Sequence, residues 1–149
     1  MEGLFGGGAP LPVAEIALRV SLAFVLGACA GVERQWHHKN AGLRTHTLVA
    51  VGAAAFTMVS SLGLGLTNNP MVIAAGVVTG IGFIGGGVIM HQGQTVQGIN
   101  TAATLWTTAS MGLAVGAGYY ALTVMIFVAL LLVQFPLQWL EHWIDRRSE

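Results

Sequence analysis

Between Thr45 and Leu140 the chain reads THTLVAVGAAAFTMVSSLGLGLTNNPMVIAAGVVTGIGFIGGGVIMHQGQTVQGINTAATLWTTASMGLAVGAGYYALTVMIFVALLLVQFPLQWL, 96 consecutive residues without Asp, Glu, Lys or Arg. A membrane-spanning helix needs about 20 mostly apolar residues, so this stretch predicts about four spans with short connectors. A soluble core would need helices with one polar face, and these segments have none. Upstream, residues 12–31 supply one more apolar segment, entered at Pro10 and Pro12, a place where proline suits the first helical turn.

The whole-chain composition agrees. Of 149 residues, 54% are hydrophobic and 8% charged, against roughly 25% charged in an average soluble domain. That excludes an ordinary soluble enzyme, a disordered chain and a nucleic-acid binder. The formal net charge is zero, so no overall field steers ions to the protein. The single cysteine allows no internal disulfide framework and no cysteine-based zinc site. The length suits one unit, so residues 1–149 are expected to form a single transmembrane domain with no soluble domain after Leu140.

Turn residues divide the chain into expected spans at 12–31, 45–64, 71–90, 99–115 and 120–140. The breaks are the connector Glu33 to Arg44, the turn Thr67-Asn68-Asn69-Pro70, the polar run His91 to Gly98, and Gly116-Ala117-Gly118. The fold class is therefore an all-α polytopic helix bundle with about five transmembrane helices. Basic residues sit in the first connector (Arg34, Lys39, Arg44) and the tail (Arg146, Arg147). An odd number of spans puts both on one side. Positive charge marks the cytoplasm, so the N-terminus is expected outside and the C-terminus inside. Trp36, Trp139 and Trp143 then fall near the inner interface, where aromatic side chains collect.

Four stretches carry a resemblance. They are Gly31-Val-Glu-Arg34, Ala41-Gly-Leu-Arg-Thr-His-Thr-Leu-Val49, Gly80-Ile-Gly-Phe-Ile-Gly-Gly-Gly-Val-Ile89 and Thr101-Ala-Ala-Thr-Leu-Trp-Thr-Thr-Ala-Ser110. In order and spacing, from about Val13 to Gly118, the chain resembles the membrane domain of the MgtC/SapB family of bacterial inner-membrane proteins. The resemblance implies a multi-pass protein of the bacterial cytoplasmic membrane, linked to growth at low magnesium and, in pathogens, to survival inside macrophages. Members were first regarded as magnesium transporters; a regulatory role, including inhibition of the proton-driven ATP synthase, is the family reading favoured since. Many members carry a C-terminal cytoplasmic domain. The chain departs from the family pattern in having Asn69-Pro70 for Asp-Pro, Gly76 for a glutamine, and the run His91 to Gln97 where basic residues are usual. These departures weaken any transfer of a charge-based mechanism.

Candidate site residues fall into three groups. The first is a cytoplasmic-face cluster of Glu33, Arg34, Arg44, Thr45 and His46. Arginine forks suit carboxylate or phosphate, and Arg34 and Arg44 are expected to converge across the short connector. On the simpler reading, the arginines only set topology and meet anionic lipid headgroups. His37, His38 and His46 do not match a metal-ligand spacing, so no metal is expected.

The second group is intramembrane and polar: Glu15, Arg19, Asn69, Asn100, Thr101 and Thr104. Glu15 and Arg19 are four residues apart, with the acid first, the favourable order on a helix. Arg19 either snorkels to the outer interface or faces the interior and organises a polar site. Asn100, Thr104 and Thr107 share a face of the fourth span. They either bond back to their own helix or line an inner cavity with the glycines of the third span.

The third group is Gly76, Gly80, Gly82, Gly86, Gly112 and Gly116, whose spacing of small residues lets helices approach closely. A broken third helix is the other reading of its glycines. Gly80-x-Gly82-x-x-Gly85 is no dinucleotide fingerprint, since no acidic residue lies between Glu33 and Glu141.

No acid–base pair lies in the apolar core and no nucleophile has a positioned histidine. The chain is therefore read as a non-enzymatic membrane protein without a cofactor. Its expected partners are the bilayer, further copies of itself as a homodimer or larger, and, by the resemblance, other membrane proteins such as the ATP synthase. The alternative function is a small Mg2+ or other cation transporter or channel; a weaker one is a lipid- or anion-binding module built on Arg34 and Arg44.

Overall fold

The structure is a computed structural model. It describes residues 11–61, 70–93, 95–137, 140, 143, 144 and 146. Asn69 and the turn before it, the last residues of the expected second span, Gln94 and Trp139 lie outside the described residues.

The described chain is almost wholly helical. Its helices are α1 (Val13–Trp36), α2 (Leu43–Ser61), α3 (Pro70–Val88), α4 (Ile99–Gly116) and α5 (Tyr120–Leu132). Each expected span falls on one of them. Val13–Trp36 and Tyr120–Leu137 are long and apolar enough to cross a membrane, and Val72–Val88 is a shorter apolar helix. The hydroxyls of α4 dilute its hydropathy, and they bond within the helix: Thr104, Thr107 and Thr108 each donate to the carbonyl four residues back at 2.7–3.0 Å.

The polar run before α4 is a hairpin rather than a plain connector. Strand β1 (Met90–Gln92) pairs antiparallel with β2 (Thr95–Gln97), His91 facing Val96. The chain turns at Gly93 with φ 63° and enters α4 through Gly98 with φ 93°, both in the left-handed region that glycine adopts without strain.

Helix α4 is the centre of the bundle and packs against all four other helices. Its inward face carries Leu105, Ala109, Met111 and Val115, all buried. Small residues bring the backbones together. An added methyl on Gly27 would meet Thr47 Cα at 3.0 Å, one on Gly31 would meet Leu43 Cα at 2.6 Å, and one on Gly116 would meet the Ala54 carbonyl at 2.6 Å. Gly112 is equally close to Ala53, 2.8 Å from its Cβ. Helix α2 is thus clamped between α1 and α4 by glycines on both sides.

The glycines of α3 behave differently. Gly76, Gly80, Gly82 and Gly86 face open space, with nothing within 4 Å of an added methyl. The expectation that they pack helices does not hold within this chain. The reason is the helical stripe: α3 meets its neighbours through Val77, Ile81 and Val88, with Gly85 3.5 Å from Ala102. Gly76, Gly80, Gly82 and Gly86 lie off that line.

The surface is apolar and the interior holds polar groups. Phe83 is 87% exposed, and Phe24, Phe56, Trp106 and Met125 are also exposed. Glu33, Arg34, His46, Thr101, Thr108 and Gln134 are buried. A water-soluble domain has the reverse arrangement.

Candidate functional site

The site lies where α1 ends. Glu33 and Arg34 occupy its last turn, 3% and 7% exposed. Burying charges is costly unless they are paired and hydrogen-bonded. Arg34 Nη2 donates to Thr101 Oγ1 of α4 at 3.1 Å, and Arg34 Nη1 lies 3.9 Å from Glu33 Oε2. His37 Nδ1 is 3.0 Å from Glu33 Oε1. Arg34 Nε has no hydrogen-bond partner among the described residues.

Gln134 completes the cluster from the far side. Pro136 has no N–H, and its ring would collide with the carbonyl four residues back, so the α-helical ladder cannot continue. The chain widens into a π-helical turn over Val133–Leu137. Gln134 is buried there, and its Nε2 donates to the Ala30 carbonyl of α1 at 3.1 Å. Sequence reasoning missed this residue. The signal was one amide in an apolar run, two positions before a proline.

Beside the cluster runs a groove of about 1340 Å3. Its end is basic: Arg34, His37, His38 and Lys39. One wall is the N-terminal half of α4, with Asn100, Thr101, Thr104 and Thr107. The facing wall is apolar apart from Gln134, with Ala129, Leu130, Val133 and Leu137. The polar face of α4 therefore lines a cavity, as one reading of the sequence held. Its opposite wall is the end of α5, where that reading expected the glycines of α3.

The predicted cytoplasmic cluster divides. Glu33 and Arg34 are neighbours within it. His46 is fully buried, its Nδ1 2.9 Å from the Gly42 carbonyl. A carbonyl only accepts, so Nδ1 carries the hydrogen. His46 Nε2 has no hydrogen-bond partner among the described residues. Thr45 is half-buried, and Arg44 is exposed and does not line the groove. The expected convergence of Arg34 and Arg44 does not occur. On a helix, two residues are about 200° apart, so when His46 faces α1, Arg44 points away.

At the other end of the bundle, Arg19 does not snorkel. Its Nε donates to Glu15 Oε1 at 2.8 Å and its Nη1 to the Gly116 carbonyl at 2.6 Å. The Tyr120 hydroxyl donates to the same Glu15 oxygen. The guanidinium thus caps the C-terminus of α4, where carbonyls lack helical partners and the helix dipole favours a cation.

A sequence profile described as the MgtC family matches residues 20–143. The protein named MgtC of Brucella abortus is 46% identical over 141 residues, 92% of this chain and 59% of that protein. The MgtC of Salmonella typhimurium is 47% identical over 121 residues, 78% of this chain and 52% of its own length. An uncharacterised protein of Synechocystis is 46% identical over 133 residues, 89% of this chain and 56% of that protein. The chain thus spans little more than half the length of these curated relatives. No solved structure matches it. With the profile running from the middle of α1 past α5, through every residue of the buried cluster, the chain belongs to the MgtC family.

Proposed function

We propose that this chain is the membrane-embedded part of an MgtC-type regulator. It acts when magnesium is scarce, and in pathogens under the stress of life inside the host, through contact with other proteins of the bacterial inner membrane and without catalysis. The observation that carries this reading is the buried Glu33–Arg34 pair beside a groove with a basic end. Ionisable groups at membrane depth are costly and mark functional sites. In this reading all five helices cross the bilayer, the N-terminus lies outside, and the groove opens at the cytoplasmic face, where the basic connector belongs. The protein works as a homodimer or larger assembly. By family resemblance, the proton-driven ATP synthase is the first partner to test.

The test is complementation. In a bacterium lacking its own MgtC, the chain should restore growth at low magnesium. Arg34→Gln should abolish that growth at equal membrane abundance, while Arg44→Gln should retain it. Unimpaired growth with Arg34→Gln would remove the site. Mg2+ flux into liposomes carrying the purified chain, absent from empty liposomes, would replace regulation with transport.

A further inference from the structure

We propose that the groove binds one anionic phospholipid, its phosphate at the Arg34–Lys39 end and an acyl chain along the wall from Ala129 to Leu137. Four observations meet there. The end of the groove presents Arg34, His37, His38 and Lys39, and no Asp or Glu lines it among the described residues. Arg34 lines the groove and is held in place by Thr101, with its Nε buried behind it. A guanidinium binds phosphate through charge-assisted hydrogen bonds, and this one is positioned before any ligand arrives.

The walls suit a hydrocarbon chain. The hydroxyls of Thr104 and Thr107 donate back to Asn100 and Ala103 at 2.7 and 3.0 Å. The α4 wall therefore demands little of an apolar occupant. Opposite, Ala129 to Val133 rises about 6 Å at the α-helical 1.5 Å per residue, and the π-helical turn carries the wall on to Leu137. Val133 and Leu137 are exposed, so the groove is continuous with the apolar outer surface and open to entry from the bilayer. Its volume of about 1340 Å3 exceeds the roughly 300–1,000 Å3 of small-molecule pockets. A charged head joined to a long apolar body fits this combination; a free anion would leave the apolar wall unused.

The experiment is native mass spectrometry of the full chain in detergent. An equimolar mixture of phosphatidylglycerol and phosphatidylcholine with the same acyl chains is supplied. The wild-type chain should retain one phosphatidylglycerol in preference to phosphatidylcholine. Arg34→Gln should weaken phosphatidylglycerol retention about tenfold, the scale of one lost charge-assisted hydrogen bond. Ala129→Trp fills the groove from an exposed position and should abolish retention. Arg44→Gln, outside the groove, should retain the lipid as the wild type does. Circular dichroism and elution volume establish that each variant is folded.

Equal retention of the two lipids by the wild type would overturn the proposal. So would undiminished retention by folded Ala129→Trp, or displacement of the lipid by excess glycerol 3-phosphate, which would make the site a plain phosphate site. A lipid-free dimer split by Ala129→Trp would make the groove an interface between copies. The readout is lipid mass, so its outcome is separate from that of low-magnesium growth.

Discussion

Arg19 Nη1 donates to the carbonyl of Gly116 at 2.6 Å, across 97 positions of sequence. One guanidinium ties the start of α1 to the end of α4 and also holds Glu15. Arg19→Gln should leave the carbonyl of buried Gly116 without its donor. The expected loss is about 1–3 kcal/mol, the cost of a buried unsatisfied polar group. Denaturant unfolding in detergent micelles checks it; unchanged stability would mean that water or lipid replaces the guanidinium.

The glycines should separate into two classes. Gly112→Val drives a side chain into Ala50 and Ala53 of α2, and overpacking of this kind costs about 1–3 kcal/mol or more. Gly82→Leu enters open space and should leave helix content and unfolding midpoint unchanged. If Gly82→Leu nonetheless alters the assembly size on gel filtration, that face of α3 is in contact between copies. Equal destabilisation by both variants would contradict the packing described here.

Gln134→Leu removes the donor to the Ala30 carbonyl. Hydrogen bonds between membrane helices average about 0.6 kcal/mol, so a small loss of stability is expected. The sharper readout is hydrogen exchange around Val133–Leu137, which should quicken while α2 stays protected. Faster exchange in α2 as well would show that Gln134 supports the whole bundle.

Magnesium should compete with the groove. Mg2+ binds phosphate oxygens while keeping several waters, and it screens surface charge. Retention of phosphatidylglycerol should therefore fall as Mg2+ is raised, and fall less in Arg34→Gln, which has less to lose. Retention independent of Mg2+ would separate lipid binding from magnesium response.

The helix positions were legible in the sequence because apolar runs and turn residues are local signals. The pairing of Glu15 with Arg19 was legible for the same reason: four residues make one turn. Its third partner, the Gly116 carbonyl, was not, because that contact needs the order of helices in space. Arg44 was misplaced because nearness along the chain stood in for direction around a helix. Gly76, Gly80, Gly82 and Gly86 of α3 match Gly112 and Gly116 of α4 in spacing, yet only the latter pair meets a neighbour; spacing reports the capacity for close approach and not which face is used. Gln134 was hidden because its inward turn depends on a proline two residues later.

Fifteen residues separate Arg19 from Arg34 on α1, and fifteen separate Gly116 from Thr101 on α4. The two helices run in opposite directions, and each arginine grips the other helix near one end. At 1.5 Å per residue the two grips stand about 22 Å apart. A slide of α1 along α4 by one turn would break both at once. Tilting is resisted as well, since the grips act as a long lever arm. Helices α1 and α4 are therefore fixed in one register at both ends, with α2 clamped between them.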